Sequence, residues 1–269
     1  MKKIGFVGAG NMAGALVKGL LATRRYRARD LWVSDADPRQ LRRFKRSYGV
    51  DGTPDNVALT RDSAIVFLAV KPQIIGGVLE EIRDAVSRRQ LFVSIAAGIS
   101  TSRLEAGLGP QARVVRAMPN TPALVGAGAT VVVRGRRATV ADERLAAELF
   151  SGVGDVLRVK DETLMDVVTG LSGSGPAFVY LFAEALIAGA TAEGLSDAVA
   201  KRLAYQTILG AALMLQQTGK SPAELRAMVT SPGGTTFAGL GALEAGRFGA
   251  TVMNAIAAAA RRSRELGRS

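Results

Sequence analysis

Lys3-Ile4-Gly5-Phe6-Val7-Gly8-Ala9-Gly10-Asn11-Met12-Ala13 opens the chain and decides how the rest is read. Ile4 to Val7 is an apolar run closed by glycine, which predicts a strand over Lys3–Val7 buried on both faces. Behind it Ala13, Leu16, Val17, Leu20 and Leu21 share one stripe of a helix expected over Ala13–Ala22. The residues between follow G-x-G-x-x-A. Gly8 permits a tight turn, Gly10 lets the backbone approach a pyrophosphate, and Ala13 lets helix and strand pack closely. A helix starting there offers free amides and the positive end of its dipole. The stretch therefore predicts a strand–turn–helix unit that binds a dinucleotide.

Working outward, the alternation continues. Strands are expected at Leu31–Ser34, Ala64–Val70, Leu91–Ile95, Val114–Ala117 and Thr130–Val133, and helices at Pro38–Tyr48, Ile74–Val86 and Ala141–Phe150. Strands this apolar, separated by helices, predict an α/β fold: a Rossmann-type, doubly wound, mostly parallel sheet covered on both faces. From about Asp161 the strand signals stop. Helices are expected at Ala177–Gly194, Ser196–Thr218, Pro222–Val229, Thr235–Ala245 and Phe248–Glu265, with Ser196 and Ser221 as N-caps. The division reads as residues 1–160, a dinucleotide-binding domain, and 161–269, an all-helical domain. Several of those helices are Ala/Gly/Leu-rich on more than one face, which predicts burial against a second copy of the chain. Pro176–Ala192 is the nearest approach to a membrane span. It carries Glu184 and falls short of the ~20 apolar residues a bilayer needs, so it reads as a buried helix.

Composition narrows the chemistry. The 269 residues include no cysteine and no histidine, which removes disulfides, thiolate-bound metal, Ser-His triads and the commonest general base. The opening Met-Lys-Lys precedes an apolar run too short for a signal peptide, and a cytoplasmic location is expected. Net charge is +12, all of it before residue 161; residues 161–269 hold nine basic and nine acidic side chains. Half of the excess lies between Arg24 and Arg46. It reads as a solvated surface or as attraction for an anionic dinucleotide, since no helix-turn-helix or aromatic-plus-basic platform for nucleic acid accompanies it.

Asp35 stands at the end of the second strand, where an acidic side chain accepts hydrogen bonds from a ribose 2′-hydroxyl and opposes a 2′-phosphate. At ~5 Å and an effective dielectric of ~20, each phosphate charge meets roughly 3 kcal/mol of repulsion. Arg39, Arg42 and Arg43 follow and offset it, so Asp35 favours NADH while the arginines keep NADPH open. Lys71, in Ala69-Val70-Lys71-Pro72, and Ala97, in Ala96-Ala97-Gly98, end two further strands and point to the same crevice. The helical half carries two glycine–serine clusters, Gly170–Pro176 and Val229–Thr236, read as loops exposing hydroxyls and amides. Amides at the start of the helix near Thr235 would cradle a carboxylate.

Six segments in order resemble the pyrroline-5-carboxylate reductases: Val7–Ala13, Ala69–Gln73, Ser94–Gly98, Arg116–Pro122, Gly170–Pro176, and Pro222 through Ser231–Thr236 to Glu244. The resemblance runs from end to end. It implies a Rossmann domain followed by a helical domain that interlocks in a homodimer, often assembled into a ring of dimers such as a decamer. It also implies an active site between one chain's cofactor domain and its partner's helical loop. Carried over residue by residue, Gly8, Ala9, Gly10, Asn11, Met12, Asp35, Asn56, Val70, Lys71 and Ala97 contact NADPH or NADH. Ser231, Gly233, Gly234 and Thr235 hold the substrate carboxylate, and the hydroxyl of Thr236, the residue nearest a catalytic role, meets the ring nitrogen. Asp35 departs from the small or neutral residue of NADPH-preferring relatives. Hydride transfer to an already electrophilic imine asks for positioning rather than a strong acid, which suits a chain without histidine. No metal is implied. β-Hydroxyacid dehydrogenases share the domain order but use a lysine on the helix after the junction, and no lysine lies between Asp161 and Ala200. Imine reductases for substrates lacking a carboxylate would leave the Ser231–Thr236 cradle without a purpose.

Overall fold

A computed structural model describes residues 2–268. In chain order it contains β1 (Lys2–Val7), α1 (Asn11–Ala22), β2 (Leu31–Ser34), α2 (Pro38–Tyr48), β3 (Asp51–Thr53), α3 (Asn56–Asp62) and β4 (Ser63–Leu68). There follow α4 (Ile75–Ile82), β5 (Leu91–Ser94), α5 (Thr101–Leu108), β6 (Arg113–Met118), β7 (Gly128–Arg134), α6 (Val140–Ser151) and β8 (Gly154–Arg158). The remainder is helical: α7 (Met165–Val168), α8 (Gly175–Ala192), α9 (Asp197–Gln217), α10 (Pro222–Met228), α11 (Thr235–Ala245) and α12 (Phe248–Arg268).

The strands form one sheet in the order β3-β2-β1-β4-β5-β6-β7-β8, parallel except where β7 runs against β6. The expected doubly wound sheet is therefore present. Alternation along the strands feeds two cores. Phe6, Ile65, Phe67 and Val93 pack with Leu16, Phe44 and Phe150 from α1, α2 and α6 on one face. Val66, Leu68, Phe92 and Val114 pack with Leu59, Leu79 and Leu104 from α3, α4 and α5 on the other. Phe6 and Phe67 stack at 4.7 Å, and Phe150 meets Phe67 edge-on at 5.7 Å, tying the central strands to α6.

Local signals set the helix ends. Asp37 caps α2 by accepting from the Arg39 amide, Pro38 opens it, and Gly49 closes it at φ 68°. Thr139 with Asp142, and Ser221 with Glu224, form capping boxes on α6 and α10. Ser196 stands at the N-cap of α9 as expected but makes no side-chain cap.

The chain divides into two compact units. One holds the sheet, the residues up to Ser174 and those from Ala257 onward; the other is Gly175–Ile256. Two expectations are corrected here. Gly170–Pro176 is not a loop: Thr169–Gly173 is a π-helical turn continuing α7, closed by the Ser174 amide on Thr169 O at 2.8 Å, and α8 follows. Small residues tolerate the wider turn, and the hydroxyls of Thr169 and Ser172 fold back onto the carbonyls of Met165 and Val168 instead of facing outward. The helix at Pro176–Ala192 forms as α8 but is not buried within one chain: Leu181 is 66% exposed and Tyr180 57%. By length and composition the helical run Glu162–Ala192 could cross a bilayer; Met165 is buried against Val131 and Val133, while most apolar side chains of α8 stay open within a single chain.

If Phe67 joins the central strands to α6, Phe67→Ala should cost about 3–5 kcal/mol. The measurement is the chemical-denaturation midpoint of the sheet's own signal. An unchanged midpoint would show that the ring does not hold β4 to α6.

Candidate active site

Every expected nucleotide contact in the sheet-bearing unit follows the carboxyl end of a strand. Gly8 directly follows β1, Asp35 directly follows β2, Val70 and Lys71 come two and three residues after β4, and Ala97 three after β5. The sheet order places these strands side by side as 2-1-4-5, so the break at β1/β4 is the topological switch point where such sheets bind ligands.

The turn at Gly8 is forced by space. Its amide donates to Ser34 O at 2.8 Å and its φ is 100°. A Cβ there would lie 2.6 Å from Ala69 O and 3.1 Å from Val70 Cγ1, a collision with the segment leaving β4. Gly10, by contrast, would point a Cβ into open space, with nothing within 4 Å. It caps α1 without any side-chain hydrogen bond, and the first turn holds no acidic residue. The early amides of α1, through Asn11, Met12 and the buried Ala13, thus face an open front, the arrangement a pyrophosphate requires. On these observations the residues present fit a dinucleotide.

The Ala9 peptide is held at both ends. Its amide donates to Asp35 Oδ2 at 2.9 Å, and its carbonyl accepts from Arg43 Nη2 at 2.7 Å. Arg43 Nη1 also reaches Asn11 Oδ1 at 3.3 Å. The second Asp35 oxygen accepts the Asp37 amide at 2.9 Å. Each carboxylate oxygen therefore has one bond to backbone and a further lone pair for a ribose hydroxyl. The three arginines separate in role. Arg39 pairs with Asp37 at 2.9 Å and Arg43 supports the glycine turn, while Arg42 is exposed and makes no ion pair among the described residues. The Arg39 side chain and then its amide hold the Asp37 carboxyl below its ordinary range, which keeps the α2 cap ionised.

Asn56, first residue of α3, accepts from the Ser34 hydroxyl at 2.6 Å and donates to Glu81 at 2.8 Å, so its side chain is oriented from both sides. Lys71 is exposed, and Ala97 half-buried. Residue types alone did not reveal Arg43 as a support for the turn; its signal was only a basic residue on the helix after Asp35. Arg116 was equally hidden, although an arginine inside the apolar run Val114–Ala117 implies a buried carboxylate. Its partner is Glu162, at 3.0 Å.

In the helical unit, Ser231–Gly234 is a turn closed by the Gly234 amide on Ser231 O at 3.0 Å, with Gly233 at φ 69°. Gly234 caps α11 with no side-chain bond and no acidic residue in the first turn. The hydroxyls of Ser231, Thr235 and Thr236 make no hydrogen bond among the described residues, and Thr236 is half-buried. Sequence reasoning thus located an uncapped helix N-terminus ringed by free hydroxyls.

The pyrroline-5-carboxylate reductase dimerisation model matches residues 162–266, and a model described as NADP oxidoreductase coenzyme F420-dependent matches residues 3–98. A pyrroline-5-carboxylate reductase of Arabidopsis thaliana is 44% identical over 99% of this chain and 96% of its own length; one from Methanosarcina acetivorans is 43% identical over 99% and 98%. Among solved structures, the Coxiella burnetii pyrroline-5-carboxylate reductase aligns at TM-score 0.92 with 39% identity, covering 100% of this chain and 99% of that one. The NADP-bound Plasmodium falciparum pyrroline carboxylate reductase aligns at 0.89 with 34% identity, covering 99% and 98%. A sheet with an open glycine turn, a helical segment matching a dimerisation model, and similarity over the full length together place the chain in the pyrroline-5-carboxylate reductase family.

Proposed function

We propose that this chain reduces the C=N bond of L-Δ1-pyrroline-5-carboxylate to L-proline, using NADH or NADPH. The observation that carries the reading is the bare N-terminus of α11, uncapped, without acidic neighbours and flanked by unengaged hydroxyls, in a chain that has no histidine. Such an N-terminus suits a carboxylate. The amides around Ser231, Gly233, Gly234 and Thr235 take the substrate carboxylate, the Gly234 amide itself closing the turn, and Thr236 Oγ1 orients the ring nitrogen. At the sheet, Gly8 through Met12 take the pyrophosphate, Asp35 the adenosine ribose, and Asn56, Val70, Lys71 and Ala97 the remainder of the dinucleotide.

When bound, the reduced nicotinamide would supply the hydride for the imine carbon, the ring carbon that becomes the δ carbon of proline. The protein's part is positional and electrostatic. The α11 amides fix the carboxylate, Thr236 holds the nitrogen in register, and the proton on nitrogen comes from solvent because the imine is basic enough to carry it. Positioning of this kind is worth ~7 kcal/mol or more. Residues 1–160 form the cofactor domain and 161–269 the dimerisation and substrate domain. The working unit is a homodimer, with a decameric ring of dimers as its further assembly. A chain without cysteine suits the reducing cytoplasm.

Thr236→Ala should lower kcat/KM for pyrroline-5-carboxylate by about ten- to a hundredfold, the loss of one hydrogen bond to a charged group. Nucleotide binding should be retained. Steady-state kinetics with optical detection of NAD(P)H oxidation checks this, and unchanged kcat/KM would sink the substrate-site assignment. Asp35→Ser should move the NADH/NADPH preference toward NADPH by about tenfold. The ratio of kcat/KM for the two nucleotides measures it; an unmoved ratio would reduce Asp35 to support of the glycine turn.

A further inference from the structure

The segment following β5, Ala96–Ser100, is gripped from two directions, and neither grip takes part in the chemistry above. On one side Glu162 accepts the Thr101 amide at 2.8 Å, the Thr101 hydroxyl at 2.5 Å and Arg116 Nη1 at 3.0 Å. Arg116 is only 4% exposed, so Glu162 also neutralises a buried cation. The start of α5 is thereby pinned to the sheet.

On the other side lies the end of α12. A Cβ on Gly98 would stand 3.3 Å from Ser263 O and 3.4 Å from Gly267 N, and one on Gly267 would stand 2.5 Å from Gly98 O. Two glycine backbones meet there with no side chain between them, and Gly98 sits at φ 75°. Ser263, 4% exposed, donates its hydroxyl to Asp166 Oδ1 at 2.6 Å and anchors the helix end. A cleft of about 420 Å³, lined by Gly98, Arg116, Asp166 and Gly267 among others, adjoins these contacts. Ala96 and Ile99 are buried in the core on either side, so the grip acts on Ala97 and Gly98 between them.

We propose that the last turns of α12 are a strap that positions the Ala96–Gly98 segment, and through it Ala97, for the dinucleotide. Ser263 and Gly267 are positioning residues that act through Gly98. The Gly98–Gly267 contact is backbone on backbone; its effect is to fix in advance a segment that binding would otherwise have to order. The inference rests on the reading of Ala97 as a nucleotide contact.

The test uses the full-length, assembled protein with three variants, Gly267→Ala, Ser263→Ala and Ala97→Leu. NADH binding is followed by energy transfer from Trp32, the single tryptophan, alongside steady-state kinetics and thermal midpoints. Gly267→Ala and Ser263→Ala should raise Kd and KM for NADH by about fivefold. kcat at saturating NADH and KM for the imine should stay at wild-type values, while the thermal midpoint falls modestly with the lost buried contact. If Kd is unchanged in both while Ala97→Leu abolishes binding, the strap falls and the cofactor site stands. If kcat and the midpoint drop with Kd unchanged, the contact is structural and the proposal is overturned. If Ala97→Leu binds NADH as wild type does, the cofactor reading of Ala97 and the strap fall together.

Discussion

The close approach at Gly8 governs the sheet around it. This residue stands where β2 and β4 leave β1 on opposite sides, hydrogen-bonded to Ser34 O on one side and leaving no room for a Cβ before Ala69 O on the other. The Val7 carbonyl accepts the Ala69 amide at 2.8 Å, so β4 cannot retreat to admit a side chain without losing that bond. A Cβ would displace Val70 as well. The crevice at the switch point, its open front before α1 and the position of Val70 and Lys71 therefore depend on one absent methyl group.

Charge is arranged around the same turn. Asp35 and Arg43 grip opposite ends of the Ala9 peptide, so a carboxylate and a guanidinium stand near each other without forming a direct ion pair. Much of the basic excess on α2 serves the chain itself: Arg39 holds the helix cap, Lys45 pairs with Asp51, and Arg43 supports the glycine turn. This narrows the sequence-level picture of three arginines facing a phosphate. Arg42 is the one of the three without an ion pair or side-chain hydrogen bond among the described residues, its charge acting on Asp37 only at longer range, and it lies near a carboxylate already oriented by two amides.

The strands and the long helices were legible because burial imposes a period, and the glycine turn because few residues tolerate its geometry. What escaped was short or held by tertiary contacts. β3 is Asp51-Gly52-Thr53 and α3 seven residues, too brief for a period to show. β8, Gly154–Arg158, lies at the sheet edge and carries too much polarity to read as a strand. The π-helical turn hid behind glycines and serines that ordinarily mark loops. Its hydroxyls instead satisfy helix carbonyls. In the candidate site, the tight glycine turn and the α11 start were visible from residue type, whereas the Asp35–Ala9–Arg43 grip was not. It joins residues up to 34 positions apart through backbone atoms, which leave no trace in composition.

The helical unit carries the last constraint. α11 has no fully buried residue within one chain, and Phe237, beside Thr236, is 60% exposed. Leu203, Tyr205 and Leu209 on α9 are more than half exposed as well. Apolar helices left open in this way are not a stable surface in water, and the segment matches a dimerisation family. Homo-oligomerisation, which a dimerisation segment supports, supplies the cover these helices lack. The uncapped N-terminus that suits a carboxylate is built on a helix whose apolar face needs cover from outside the chain, so loss of the partner would loosen α11 and the cradle together. Under the proposed function, oligomerisation and substrate recognition would therefore meet on one helix, α11.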